Sequence, residues 1–312
     1  MLDDATIAPI PLRFRRHLVR ALKILFEEFE EAQKGKLADK AERGRILKVI
    51  LYGSFARGTW REDHGSGFVS DFDLLVIVNS ERFAREYEAW EWANERFVQE
   101  ALLRDTPRPT PSFVVHSYAD VNDQLSRGRP FFADIAREGL VLYEVPGFPL
   151  SEIGPFSDEV RREEEWLHYD EWYPDGAYRI KATRNAMDAE RLKAAAFDLH
   201  QATEYLYHCF LLVQTLYSPK LHSLRELRKK AENIDYRLVE AWPRTTRLAR
   251  RRFQLLHDAY VKARYSYKYE ITAEELSWLI ERVEVLSRLV ADICAERLGE
   301  RPEGRRSVNG EP

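Results

Sequence analysis

The chain has 312 residues, 45% hydrophobic and 32% charged, with a net charge of −4. That length suits one large domain or two ordinary ones in a soluble, helix-rich protein, and the charge excludes whole-molecule attraction to nucleic acid or membrane, so any basic patch is local. Two cysteines, Cys209 and Cys294, form neither a disulfide framework nor a zinc signature; with acidic Asp3 and Asp4 in place of a signal peptide and no bilayer-length apolar run, a cytoplasmic protein without a membrane partner is expected.

Residues 12–33 carry helical periodicity through Leu18, Leu22, Leu25, Phe26 and Phe29, ending near Gly35. Strands follow at about 46–52 and 71–79. Ser80 is placed to cap a helix running to about 104, and Pro107, Pro109 and Pro111 end it. Residues 112–116 read as a third strand, helical segments span about 119–138 to Gly139, and 140–143 read as a short last strand. Residues 146–157, with Pro146, Gly147, Pro149, Gly154 and Pro155, predict a linker. Beyond it the pattern is helical, at about 158–170, 192–217, 221–233, 237–264 and 272–298, the last opened by Thr272 with Glu275 three residues on. Residues 299–312 read as a disordered tail. The predicted organisation is an α+β domain over 1–145, with a small mixed sheet, then an all-α bundle over 158–298.

The chemistry concentrates in residues 53–73. Gly53 and Ser54 end the first apolar strand, Arg57 and Gly58 follow, and Ser70 precedes Asp71-Phe72-Asp73 on the next strand. A strand's period of two puts Asp71 and Asp73 on one face, where two carboxylates repel unless a cation lies between them. Hard divalent cations take such oxygen ligands. Glycine permits close backbone approach to a phosphate, Ser54 offers donors, and Arg57 offers positive charge. The bland reading is a glycine turn between core strands with two solvated acids.

Gly53-Ser54, an insert, and Asp71-x-Asp73 on the following strand resemble the nucleotidyltransferase superfamily of DNA polymerase β type in its minimal form. The resemblance implies that Asp71 and Asp73 hold Mg²⁺ or Mn²⁺ and act in catalysis. It implies that Gly53, Ser54, Arg57 and Ser70 bind the phosphates of an NTP, most plausibly ATP, and that a hydroxyl on a small molecule, RNA or protein receives the nucleotide. The insert is longer than is usual in the family, and Gly65-Ser66-Gly67 marks a flexible loop within it, with Trp60 near its start as a candidate for stacking on a base. A third carboxylate is expected on the later strand. Ser112 stands near that position, with His116 further along, and no Asp or Glu occurs between Asp105 and Asp120.

Residues 196–204 (AFDLHQATE) and 259–265 (AYVKARY), with the 220–224 loop, resemble the HEPN domain, a helical bundle often found beside minimal nucleotidyltransferases. Some members are ribonucleases with an Arg, a short spacer and a His. Arg252 and His257 satisfy that spacing, while the 259–265 stretch places the family position later, near Arg264 and Tyr265. The resemblance also implies RNA as a possible partner, a homodimer through the bundle, and toxin-antitoxin-like behaviour in which Tyr265 or Tyr267 receives the nucleotide. His200, Glu204 and His208, spaced by four, form a polar strip that reads as a helix–helix contact or an exposed face ahead of a metal or nucleotide-base site. Arg244, Arg247 and Arg251 form a basic stripe that suits either RNA or solvent. Three functions follow: a metal-dependent transferase, a nucleotide sensor lacking turnover, and a HEPN ribonuclease.

Overall fold

The computed structural model describes residues 6–34, 43–63, 68–85, 87–102, 108–219 and 221–300. The loop glycines at 65 and 67 and the predicted tail beyond residue 300 lie outside these. The chain divides into two compact units, Met1–Phe156 and Ser157–Pro312.

The first unit opens with α1 (Leu12–Lys34), whose Phe14, Leu18, Leu22, Leu25, Phe29 and Ala32 repeat at spacings of three and four and are buried. After it come β1 (Ile46–Tyr52), the single turn α2 (Gly53–Ala56), a small ribbon of β2 (Glu62–Asp63) and β3 (Phe68–Val69), and β4 (Phe72–Val78). Then follow α3 (Glu81–Ala84), α4 (Tyr87–Leu102), β5 (Pro111–Ser117), α5 (Tyr118–Ser126), α6 (Pro130–Glu138) and β6 (Leu140–Glu144).

Four strands form one mixed sheet in the order β5-β4-β1-β6. β1 runs antiparallel to both neighbours, and β4 runs parallel to β5. Every residue of β4 is buried, as the apolar run from Leu74 to Val78 requires of a central strand, and the burial extends to Asp73. The outer strands alternate instead, and β6 exposes Val141 and Tyr143. The apolar core lies between the sheet, α1 and α4, with the rings of Phe29 and Trp90 stacked 5.0 Å apart.

One predicted helix needs correction. Ser80 makes no side-chain cap, and the predicted single helix is broken at Arg85 into α3 and α4. The stretch read as a linker is ordered against α5. The Gly154 amide donates to the Leu125 carbonyl (2.9 Å), the Ser151 amide donates to Asn122 Oδ1 (2.7 Å), and Tyr118 donates to the Pro149 carbonyl. A side chain at position 154 would stand 1.9 Å from the Ser126 carbonyl oxygen, so glycine is there to let two backbones touch rather than to loosen the chain.

The second unit contains α7 (Asp158–Asp188), α8 (Leu192–Thr215), α9 (Leu224–Ile234), a 3₁₀ turn (Tyr236–Ala241), α10 (Arg247–Tyr265) and α11 (Ala273–Leu298). The predicted 158–170 helix runs on to Asp188 despite Pro174 in its interior. Proline removes one helical hydrogen bond, but packing along α8 outweighs the loss. A side chain at Gly176 would meet Leu206 of α8 at 3.2 Å, so the two helices approach closely there. α7 ends in a Schellman motif closed by Glu190 (φ 58°), with the Glu190 amide donating to Met187 and the Arg191 amide to Ala186.

The predicted helix over 237–264 is likewise two elements, separated at residues 242–246 around Pro243. Trp242 there is buried and donates its indole N–H to the Tyr207 hydroxyl (2.8 Å). The predicted start of α11 is present as a full capping box between Thr272 and Glu275. Cys209 and Cys294, unrelated in sequence, are both buried and share a hydrogen bond between α8 and α11.

Candidate active site

β1 and β4 meet at one end of the sheet, where Tyr52 pairs with Asp73. The chain leaves β1 through Gly53, whose φ of 72° lies in the left-handed region that glycine tolerates best. Any side chain there would stand 2.6 Å from Asp73 Oδ2. Position 53 is therefore a glycine twice over, for its backbone and for the carboxylate against it. Ser54 is buried, and its hydroxyl oxygen makes no hydrogen bond. A buried hydroxyl without a partner is a costly arrangement, and it is relieved when a ligand supplies one.

Asp71 and Asp73 are 7% and 4% exposed, so two carboxylates one residue apart are packed into the same end of the sheet. Thr110, just ahead of β5, holds the first of them: its amide (3.2 Å) and its hydroxyl (2.5 Å) both donate to Asp71 Oδ1. β5 then lies beside β4 with Ser112 paired to Asp73. The place beside Asp73 on the neighbouring strand is thus a fully buried serine. Sequence reasoning does not single out Thr110. A signal for it exists, since sliding β5 in parallel against β4 sets residue 110 beside residue 71.

The other predicted phosphate contacts divide. Arg57 is half-exposed and reaches Glu138 at 3.6 Å. Ser70 faces the polypeptide: its amide donates to the Arg61 carbonyl and its hydroxyl accepts from the Arg61 amide, both at 2.9 Å. This reciprocal clasp closes the base of the β2–β3 ribbon, a structural task for a residue expected to touch phosphate. Trp60 stacks on Phe55 (5.6 Å) and meets Phe14 edge-on (5.5 Å), so it is part of the core and not a loop aromatic awaiting a base. His116 pairs with Ile77, four residues along β4 from Asp73, and its Nδ1 lies 2.6 Å from Asp120 Oδ2. It is well away from the acids.

In the second unit, the predicted strip on α8 is buried rather than exposed. Glu204 Oε1 lies 2.9 Å from His222 Nδ1 and 3.9 Å from His208 Nε2, and Oε2 lies 3.7 Å from His200 Nδ1. Tyr260 stacks on His222 (4.6 Å), and Trp172 packs on His208. Burial pulls His200 down to about 3 and His208 to about 4, and it raises Glu204. Among the described residues no group of three is arranged to hold a metal ion.

The Arg252–His257 spacing does not make a site. Arg252 turns to α11, pairing with Glu274 (2.6 Å) and lying over Trp278 (5.3 Å). His257 faces α9 and α8 instead, with Arg225, Glu226 and His200 as its electrostatic neighbours. Within the basic stripe, partly buried Arg244 pairs with buried Glu232, while exposed Arg250 donates to the Arg244 carbonyl and exposed Arg251 reaches Glu275 (3.5 Å). Tyr265 and Tyr267 are exposed, and Arg264 lies over the Tyr265 ring at 5.0 Å.

Residues 30–102 match the nucleotidyltransferase domain family, and residues 169–293 match the HEPN domain family. A curated protein of Methanocaldococcus jannaschii that bears the name "Putative protein adenylyltransferase" is 43% identical over 51 residues, which is 16% of this chain and 40% of that protein. The chain thus spans well under half the length of that relative. A solved structure of a nucleotidyltransferase-like protein from Exiguobacterium sibiricum covers 87% of this chain and 77% of its own at 12% identity, with a TM-score of 0.27, too loose a superposition to define the fold. With its Gly-Ser turn, its paired acids and its helical second unit, the chain joins an N-terminal nucleotidyltransferase domain to a C-terminal HEPN domain.

Proposed function

We propose that the first unit transfers a nucleoside monophosphate, most plausibly AMP from ATP, to a hydroxyl acceptor, with Mg²⁺ or Mn²⁺ held by Asp71 and Asp73. The observation that carries this reading is the burial of two like-charged carboxylates side by side beside a glycine that leaves room for them. The donor set fits the ion: oxygen ligands, two negative charges, and a neighbouring buried hydroxyl on Ser54 that lacks a partner. When bound, a divalent ion supplies charge neutralisation at the phosphates and polarises the α-phosphoryl group.

The chain's own residues do the rest. Gly53 admits the phosphates close to the backbone, Ser54 donates its hydroxyl to a phosphate oxygen, and Arg57 exchanges Glu138 for a phosphate. The acceptor oxygen bonds to the α-phosphorus, the bond from that phosphorus to the bridging oxygen breaks, and pyrophosphate leaves while the acceptor proton passes to solvent. The curated relative's name points to a protein as the acceptor. The HEPN unit would then bind acceptor or nucleotide, with exposed Tyr265 and Tyr267 as hydroxyls open to modification.

The test is incubation of the purified chain with ATP labelled at the α-phosphate and Mg²⁺, following pyrophosphate release and label on protein, RNA and small hydroxyl compounds. Transfer that disappears in Asp71→Asn/Asp73→Asn supports the proposal, and transfer that survives removes it. A second reading, nucleotide binding without turnover, draws on Ser112 standing beside Asp73. It predicts Mg²⁺-dependent ATP binding with no pyrophosphate released.

A further inference from the structure

We infer that Tyr52 and Phe131 form the platform on which the base of the bound nucleotide stacks. The inference rests on the transferase reading and extends it from the phosphates to the base. Trp60, the aromatic that the sequence offers for this task, is packed into the core against Phe55 and Phe14. The two faces of the sheet divide the labour. Val49 and Leu51 of β1 and Phe72, Leu74 and Val76 of β4 belong to the apolar core beneath α1 and α4. Asp71 and Asp73 project from the other face, by the period of two. Tyr52 is the direct cross-strand partner of Asp73. Directly opposed residues present their side chains on one side of a sheet, with Cβ atoms about 4.5–5.5 Å apart. The tyrosine therefore stands on the acid face, one strand over from the carboxylate.

Phe131, in the first turn of α6, meets the Tyr52 ring edge-on with centroids 5.5 Å apart. Both rings are only partly buried, whereas Phe55 and Phe72 on the core side are wholly buried. The far end of α6 is Glu138, which reaches Arg57. One helix thus carries an aromatic ring beside the acid face at its start and the partner of the arginine proposed for phosphate at its end. A few placed polar groups with an apolar, aromatic wall beside them are what small-molecule pockets are made of. Stacking suits this wall, because every base has a π-face and stacking strength sets the preference among bases, so the larger purine gains more than a pyrimidine.

The experiment is calorimetric titration of the full chain, with Mn²⁺ present, using two probes. One is an ATP analogue with a methylene bridge between its α- and β-phosphates, and the other is inorganic tripolyphosphate, which has the phosphates and no base. Tyr52→Leu should weaken the analogue about 5- to 150-fold, the scale of losing one base–aromatic stack, and leave tripolyphosphate unchanged. Phe131→Leu should act in the same selective way, and Tyr52→Phe, which keeps the ring, should keep the affinity. The unaltered chain should favour the ATP analogue over its CTP counterpart by a margin that Tyr52→Leu narrows. Equal losses of both probes in Tyr52→Leu would make the ring a support of the acid site and overturn the platform. An unchanged affinity for the analogue in Tyr52→Leu, or a loss of it in Tyr52→Phe, would overturn it too. Equal binding of the two probes to the unaltered chain would remove the platform and leave the transferase reading standing. If Asp71→Asn/Asp73→Asn binds both probes as well as the unaltered chain does, or the unaltered chain binds neither, the transferase reading falls and takes the platform with it.

Discussion

Two buried charged clusters stand in contrast. At the end of β4 an acid lies beside an acid, Asp71 and Asp73, both nearly inaccessible. On α8 an acid lies among bases, Glu204 within 4 Å of His200, His208 and His222. The second arrangement can satisfy itself, because a carboxylate and imidazoles share protons and hydrogen bonds. The first gains nothing from its own members. Like charges packed together disfavour each other's ionised form, and perturbed groups of this kind cluster at functional sites. Burial of a polar group is therefore a poor guide to function by itself, and the sign of its neighbours is the better one.

The largest effect should come from breaking the first cluster. Asp71→Asn/Asp73→Asn should reduce nucleotidyl transfer by about a thousandfold or more, the scale of removing principal electrostatic stabilisation of a transition state. The same variant should change the melting temperature little, since it removes repulsion while weakening the bonds that Asp71 accepts from Thr110. A loss of activity accompanied by a large fall in melting temperature would make the acids structural.

The second cluster should show itself through pH. Burial, the leading cause in each case, lowers His200 to about 3 and His208 and His257 to about 4 from an ordinary 6.5. For His200 and His257 nearby positive groups, Arg264 and Arg225 among them, push the same way. Between those values the unfolded chain binds protons that the folded chain refuses. Stability is therefore fully present above pH 6.5 and falls as pH drops toward 4. Raised Glu204 has the opposite sign, since the folded carboxyl keeps its proton longer, and it offsets part of the change. A tenfold change in proton affinity is worth about 1.4 kcal/mol, so the three histidines together make roughly several kcal/mol. Denaturant titration of the HEPN unit's fluorescence at pH 7 and pH 5 reads this directly. His200→Leu should flatten the dependence on pH, and an unchanged dependence would show that His200 is not its source.

Gly53→Ala separates backbone strain from site geometry. The positive φ costs an alanine about 1 kcal/mol. The added carbon also displaces the Asp73 carboxylate, whose oxygen is 2.6 Å away. Mn²⁺ affinity should fall further than stability does. Equal fractional losses would mean that the turn, and not the carboxylate, explains the glycine.

What is legible in the sequence follows the same division between local and non-local causes. β1, β4 and the capping box of α11 are local patterns, and each stands where periodicity and capping place it. α7 reads too short from sequence because Pro174 and Gly176 are local breakers, while the force that keeps the helix intact is Leu206 on another helix. Its end carries Glu190 at the left-handed position where glycine is the usual signal. The Gly-Ser turn and the acid pair are legible as a spacing. The Thr110 bond to Asp71 is not, because it depends on the register between two strands about forty residues apart. The Arg252–His257 spacing misleads for a related reason: five residues on a helix turn two side chains toward different neighbours, α11 for one and α8 with α9 for the other.

The smallest effect belongs to Arg57, which marks where the acid site meets solvent. Its contact with Glu138 is long and half-exposed, a kind of pair that contributes roughly 0–1 kcal/mol to folding. Arg57→Gln should therefore leave the melting temperature nearly unchanged. If Arg57 turns to the triphosphate, the same change should raise the KM for ATP several-fold, lessen the salt sensitivity of ATP binding, and leave kcat close to its original value, because the charge would be felt equally by bound substrate and transition state. A fall in kcat with KM unchanged would place the guanidinium on the leaving pyrophosphate instead. No kinetic change would leave Arg57 a surface partner of Glu138 and confine phosphate recognition to Gly53 and Ser54.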